Sequence, residues 1–283
     1  MTYYAPWLVT LNYVRQHRRL ETAETDNDAL LQTMIGESST EFMEGLHERI
    51  PMPYEDTKRF GSSYLSGLDL KLRDDLLAVS SITNGNGEAI ASNLYNLRPD
   101  NRYPKNTVEL VSNGGTYWNL AYREDRVVIP GTWGYVPNYA TCWRNSTAVI
   151  PAGNLTDSAT SVALAAGKGA LFEVGQYISV VTSSVREVMQ VTAISTDTLT
   201  LARGELGTTA AVHTSADVIY QYRQLADIQQ AVREMVVYKY LAKDKIGGTT
   251  RVYEGGTLIV EDISPSVEAT RKRHARKHMP RAV

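Results

Sequence analysis

The stretch Leu225 to Asp244, LADIQQAVREMVVYKYLAKD, constrains this chain more than any other. At 100° per residue its first half sets Leu225, Ile228, Ala231, Val232 and Met235 on one arc, with Gln229, Gln230, Arg233 and Glu234 elsewhere, which predicts an amphipathic helix. Its second half adds Val237 and Leu241 on the side where the first half carries Gln230 and Glu234. A helix apolar on two sides requires two partners. One is the helix predicted from Asn27 to Arg49. The other is either the β-rich region of the same chain or a second copy of it, and in the second case Val237, Tyr240 and Leu241 form a subunit interface.

The rest of the chain follows in order. Trp7, Leu8, Leu11 and Val14 stand at helical spacing within Ala5 to Arg19, ahead of a basic end, and predict a short docking helix. The polar stretch Glu21 to Asp26 reads as a linker, and Asp26 or Asn27 is a suitable N-cap for the next helix. There Leu31, Met34, Ile35, Phe42 and Leu46 recur at three, four and seven residues until Ile50-Pro51 stops the helix. Beyond Pro51 the period becomes two. Strands are predicted at Arg59 to Tyr64, Asp69 to Leu72 and Leu76 to Thr83, the last entering the hairpin signal Asn84-Gly85-Asn86-Gly87 with Glu88 to Tyr95 as its partner. Thr107 to Leu110 and Asp125 to Ile129 continue the meander, and Pro130 to Tyr135 closes it as a loop.

At about Thr147 the composition shifts to Ala, Thr, Ser, Val and Gly with few charges, and it stays so to about Tyr222. Strand-length pieces lie at Ser161 to Leu164, Gln176 to Val181, Arg186 to Ala193, Thr198 to Ala202 and Asp217 to Tyr222. They predict a small barrel or sandwich whose two ends emerge together near the helix at Leu225. Gly247-Gly248 and Gly255-Gly256 then frame a flexible segment, and Pro265 opens a last basic helix or arm over Ser266 to His278. The expected fold is therefore α+β. A helical body with a β-hairpin and meander extension spans 1–146 and 223–264, a small all-β domain is inserted at 147–222, and a basic arm occupies 265–283.

Chemistry is thinly represented. Cys142 is the single cysteine, which forbids an internal disulfide and a cysteine-built zinc cage. His274 and His278 stand four apart, yet Ala275-Arg276-Lys277 between them would repel a metal. Gly114-Gly115 and Gly247-Gly248 lack the Lys-Ser or Lys-Thr and the strand-to-helix context of a phosphate cradle. Asn145-Ser146-Thr147 and Asn154-Leu155-Thr156 match a glycosylation acceptor, which has no bearing without secretion. No enzyme activity, metal or cofactor is expected. No apolar run approaches the ~18 residues of a membrane span, and the N-terminal residues lack a basic region followed by an apolar core, so a cytoplasmic protein without membrane contact is expected.

Charge is unevenly placed. Six of the 29 Lys and Arg fall between Arg271 and Arg281: Arg271, Lys272, Arg273, Arg276, Lys277 and Arg281. The segment reads as an arm docking on an acidic protein surface, ahead of a solvated tail or a DNA contact. Its like charge predicts an arm that is mobile until a partner orders it.

The order of these parts resembles the head-to-tail connector, or adaptor, proteins of long-tailed bacteriophages. The resemblance rests on the opening LVTLNYVRQHRRL, on the helix from Asn27 into Ser39-Thr40-Glu41-Phe42-Met43-Glu44, and on Leu76 to Gly85. Asp227 to Val232, with Tyr238-Lys239-Tyr240 closing that helix, completes it. Thr147 to Tyr222 departs from the compact members, and its Arg203 to Ala210 (RGELGTTA) resembles a turn in small β modules of other virion proteins. The resemblance implies a non-enzymatic subunit of a twelve-membered homo-oligomeric ring, assembled in the host cytoplasm and placed in the virion at the head–tail junction. Such a ring sits beneath the portal protein, extends the channel through which packaged DNA passes and offers a platform to the next neck, stopper or tail protein. The basic arm would dock on the portal. The competing class is a binding module in which the β insert recognises a carbohydrate or a host surface.

Overall fold

The structure is a computed structural model that describes residues 5–17, 26–47, 49–120, 126–153, 155–242, 252–253, 256–257 and 264–276. Its elements in chain order are α1 (Leu11–Arg15), α2 (Asp28–Glu44), β1 (Tyr54–Phe60), β2 (Leu65–Ser66), β3 (Asp69–Val79), β4 (Tyr95–Arg98), β5 (Lys105–Leu110) and β6 (Val127–Trp133). There follow β7 (Trp143–Val149), β8 (Ser161–Ala163), β9 (Tyr177–Thr182), β10 (Val185–Ser195), β11 (Thr198–Ala202), β12 (Val218–Tyr222), α3 (Ala226–Ala242), β13 (Val252–Tyr253), β14 (Gly256–Thr257) and α4 (Pro265–His274). Most of the architecture is two six-stranded sheets, ordered β1-β6-β3-β5-β4 with β2 on β3, and β7-β12-β9-β10-β11-β8. This corrects the expected helical body with a small insert. The docking helix predicted over Ala5 to Arg19 shrinks to the five residues of α1, and α2 stops at Glu44 rather than Arg49, so helices are the minor component.

The chain forms two compact units. One joins Met1–Glu48, Asn145–Arg203 and Ala210–Val283, and the other joins Arg49–Arg144 with Gly204–Thr209. The four described α-helices and the second sheet, apart from Trp143 and Arg144 at the start of β7, thus belong to the same unit.

In the unit of the first sheet, β3 is one long strand where two were predicted. Its pairing with β5 shifts register between Lys71 and Leu76, and that irregularity is what read as a break in the sequence. The Asn84–Gly87 turn forms, with Asn84 N–H donating to the Glu88 carbonyl at 2.8 Å, but a single bridge, Thr83 to Ala89, takes the place of the predicted partner strand. The chain then passes to β4, which pairs with β5. Pro130 to Trp133, expected as a closing loop, is the second half of β6 and pairs with β1 from Trp133↔Tyr54 to Pro130↔Thr57. Gly131 makes that possible, because a Cβ there would lie 2.3 Å from the Ala78 carbonyl oxygen of the neighbouring strand. Trp133 is fully buried beside Phe60, with ring centroids 6.1 Å apart.

The second sheet follows the predicted strands closely, and β7 adds one astride the expected boundary at Thr147. The strands that enter and leave it, β7 and β12, are paired, and Ser146 Oγ donates to the Ile219 carbonyl at 2.6 Å. Residues of alternate parity share one core that includes Ala148, Val162, Ile178, Val180, Met189 and Leu199, from β7 to β12. In the same unit, Leu11 N–H donates to the Val174 carbonyl at 3.1 Å and Asn12 Nδ2 to Glu173 Oε1 at 2.9 Å. Trp7 lies over Gly175, where a Cβ would come within 2.5 Å of its ring. Of the segment expected to be flexible, β13 and β14 pair, while Gly247-Gly248 and Leu258 to Val260 lie outside the described residues.

Candidate functional site: the helical cluster

Three of the four segments that carry the resemblance, the opening, α2 and α3, meet in one cluster, while the fourth, Leu76 to Gly85, lies in the unit of the first sheet. α2 packs on α3, and α1 and α4 flank them. α2 turns Leu31, Ile35, Ser38, Ser39, Phe42 and Met43 inward, the i, i+4, i+7, i+8 rhythm of a buried helix face. Asn27 takes the N-cap position without a side-chain hydrogen bond. The small serines bring chains close, and Ser39 Oγ accepts from Leu8 N–H at 3.0 Å. α3 buries Ile228, Ala231, Val232, Met235, Val236 and also Val237, which lies half a turn away from Ile228.

That second buried side has its explanation inside the chain. Lys239 Nζ faces α2, 3.1 Å from Glu41 Oε2, and Arg233 lies 4.4 Å from the ring centroid of Tyr13 in α1. Asp227 and Glu234 face α4. Of the three residues read as a subunit interface, Val237 is therefore part of the chain's own core, 4% exposed, whereas Tyr240 and Leu241 are partly exposed and Tyr238 beside them is exposed.

α4 is the described half of the expected basic arm, and over Ser264 to Arg276 it is a docked helix rather than a detached segment. Ser264 caps it, accepting from Ser266 N–H at 3.4 Å, Pro265 opens it, and its cations fall in the last turn, where the helix dipole favours them. Val267, Thr270, Arg271 and His274 form its buried face at i, i+3, i+4 and i+7. Arg271 lays its stem over Gly45, whose missing Cβ would lie 2.8 Å from Arg271 Cδ. Its Nη2 donates to the Glu41 carbonyl at 3.2 Å and stands 3.4 Å from Glu41 Oε1, and its guanidinium lies 5.7 Å from the Phe42 ring centroid. At the far end Asp227 Oδ2 accepts from His274 Nε2 at 2.7 Å and from Arg273 Nη1 at 3.1 Å. Burial works to raise the Asp227 carboxyl, but the hydrogen bond and charge of His274, with the Ile228 N–H and Arg273, hold it below the ordinary carboxylate value.

The six predicted docking cations are thus divided. Arg271 is buried, Arg273 bonds Asp227 while its side chain stays 64% exposed, and Lys272 points outward at 76%, 3.6 Å from Glu268. Arg276 N–H donates to the Leu46 carbonyl at 3.4 Å, and Lys277 and Arg281 lie outside the described residues. Sequence reasoning missed the acceptors Glu41, Asp227 and Glu234. A signal was present: Val267, Thr270, Arg271 and His274 already stand at the spacing of one helix face, and Asp227 and Glu234 stand seven apart on another.

Cys142 is buried, and its Sγ donates to the Tyr139 carbonyl at 3.2 Å. Among the described residues no three His, Cys, Asp or Glu side chains group to hold a metal ion, and no helix is long and apolar enough to cross a membrane. Compared with known proteins, the chain matches no family model and no curated protein.

Proposed function

We propose that this chain is a structural virion protein, the subunit of a ring-forming head-to-tail adaptor that docks under a portal protein. Its ring of twelve extends the DNA channel and carries the next neck, stopper or tail protein. One observation supports the reading: the opening segment, α2 and α3, three of the four segments that carry the resemblance, pack as one cluster although β1 to β12 intervene between α2 and α3. A ring requires a heterologous contact, one patch of each copy meeting a different patch of the next. Tyr238, Tyr240 and Leu241, at the end of α3, are the residues proposed for one side of it, and Val237 is withdrawn to the core. Lys272 and Arg273 give α4 an outward basic side, the part of the described chain proposed to meet an acidic portal surface.

The test is negative-stain imaging and native mass measurement of the purified chain, alone and with its cognate portal ring. Closed rings on the portal, weakened by salt and by Lys272→Glu with Arg273→Glu, are expected. A chain that stays monomeric and leaves the portal bare overturns the reading.

A further inference from the structure

The core face of the second sheet ends on ions. Parity continues from Val191 and Met189 to Glu187 on β10 and from Leu199 and Leu201 to Arg203 at the end of β11, so a carboxylate and a guanidinium take positions that the pattern reserves for apolar side chains. Glu187 is fully buried and accepts from Arg203 Nε at 2.6 Å, Arg203 Nη2 at 2.7 Å and Ala211 N–H at 2.9 Å. Arg203 also donates to the carbonyls of Thr156, Ala159 and Ala211 at 2.8, 2.7 and 2.7 Å. Arg203 and Ala211 flank the loop Gly204–Thr209, which belongs to the other compact unit, where Leu206 is buried and its carbonyl accepts from Glu55 N–H at 2.8 Å.

His213, also fully buried, stands between two carboxylates. Its Nε2 is 2.9 Å from Glu187 Oε2, and its Nδ1 is 2.8 Å from Thr182 Oγ1, which itself bonds Asp217 Oδ2. Glu187 bound by a guanidinium can only accept, so Nε2 carries a hydrogen. Partial burial of Asp217 opposes its charge, but bonds from the Thr182 hydroxyl and from the Thr214 N–H and hydroxyl keep it ionised, below the ordinary carboxylate value. It too can only accept, and a hydroxyl has one hydrogen to give. The Thr182 hydrogen goes to Asp217, and the Thr182 oxygen is left to accept from Nδ1.

We propose that the folded protein holds His213 as a buried imidazolium with both ring N–H groups donating, and that it completes a charge-balanced latch on the stems of the loop Gly204–Thr209. The charged groups facing the ring are Glu187 of β10 and Asp217 ahead of β12, with Arg203 beyond Glu187, while β9 contributes the neutral Thr182. Two cations then balance two anions. A neutral ring would leave two lone pairs facing each other across the Thr182 contact.

Long-range proton–nitrogen spectra of the full chain at neutral pH, with labelled histidine, test the assignment. Both His213 ring nitrogens are expected in the protonated range. In Asp217→Asn, where Thr182 is free to donate to the ring, Nδ1 is expected to become bare while Nε2 keeps its hydrogen. One bare ring nitrogen in the unmodified protein overturns the imidazolium. The latch is tested by the near-isosteric Thr182→Val, which is expected to speed hydrogen exchange at the Ala211 amide about tenfold while Val180 and Met189 stay protected. Unchanged exchange at Ala211 overturns the latch.

Discussion

Arg271 and Lys272 are adjacent in sequence and opposite in circumstance. Arg271→Ala removes a buried stem and a guanidinium from Glu41. Because Glu41 is partly exposed, the expected loss is about 1–3 kcal/mol in a denaturant titration. Lys272→Ala is expected to change stability by less than about 0.5 kcal/mol. Asp227 carries a pH dependence whose sign follows from its lowered folded value. The stability it contributes is present above the ordinary carboxylate value of about 3.9 and is lost as pH falls through the folded value. Asp227→Asn should therefore melt lower than the natural chain at neutral pH, and the gap should close in acid. A gap that persists undiminished well below the carboxylate range would remove the linkage. At this scale the sequence was legible for which residues are charged and illegible for what they meet. A run of cations looks solvated until a face at i, i+3, i+4 and i+7 is recognised within it, and the acceptors of that face lie in helices that precede it by tens to hundreds of residues.

Elements were legible where one period dominated. The strands of the second sheet and the starts of α2 and α3 follow from alternation and from helical spacing. β6 was hidden because Pro130 and Gly131 ordinarily mark turns, whereas here Gly131 admits the close approach of the Ala78 carbonyl. The two-sided character of α3 was also legible, but periodicity cannot say whether the second side meets the same chain or another. The structure divides its residues, and the division has a direct test. Val237→Asp places a charge in the chain's own core and is expected to destabilise it by about 3 kcal/mol or more. Leu241→Asp, at a partly exposed position, is expected to leave the melting temperature within a few degrees and, if the proposed ring forms, to lower the mass of the assembly. A Leu241→Asp chain that unfolds like Val237→Asp would move that residue into the private core as well.

The organisation of the whole molecule was the least legible level, since the sequence order of segments suggested a body with an insert while packing groups the helices with the second sheet. Contacts such as Leu11 to Val174 and Trp7 to Gly175 link residues over 160 positions apart, and nothing local announces them. They qualify what excision of 147–222 would do. Replacing that stretch with a short Gly-Ser linker removes Glu173, Val174 and Gly175 from the N-terminal segment and Leu206 from the other unit. α2, α3 and α4 are expected to stay packed, while amides of Leu11 to Val14 lose their protection from hydrogen exchange. Retained protection there would mean that the helices alone hold α1. The chain crosses between its two compact units four times, at Glu48–Arg49, Arg144–Asn145, Arg203–Gly204 and Thr209–Ala210. A protease that severs the backbone at any one of these crossings leaves three still joining the units.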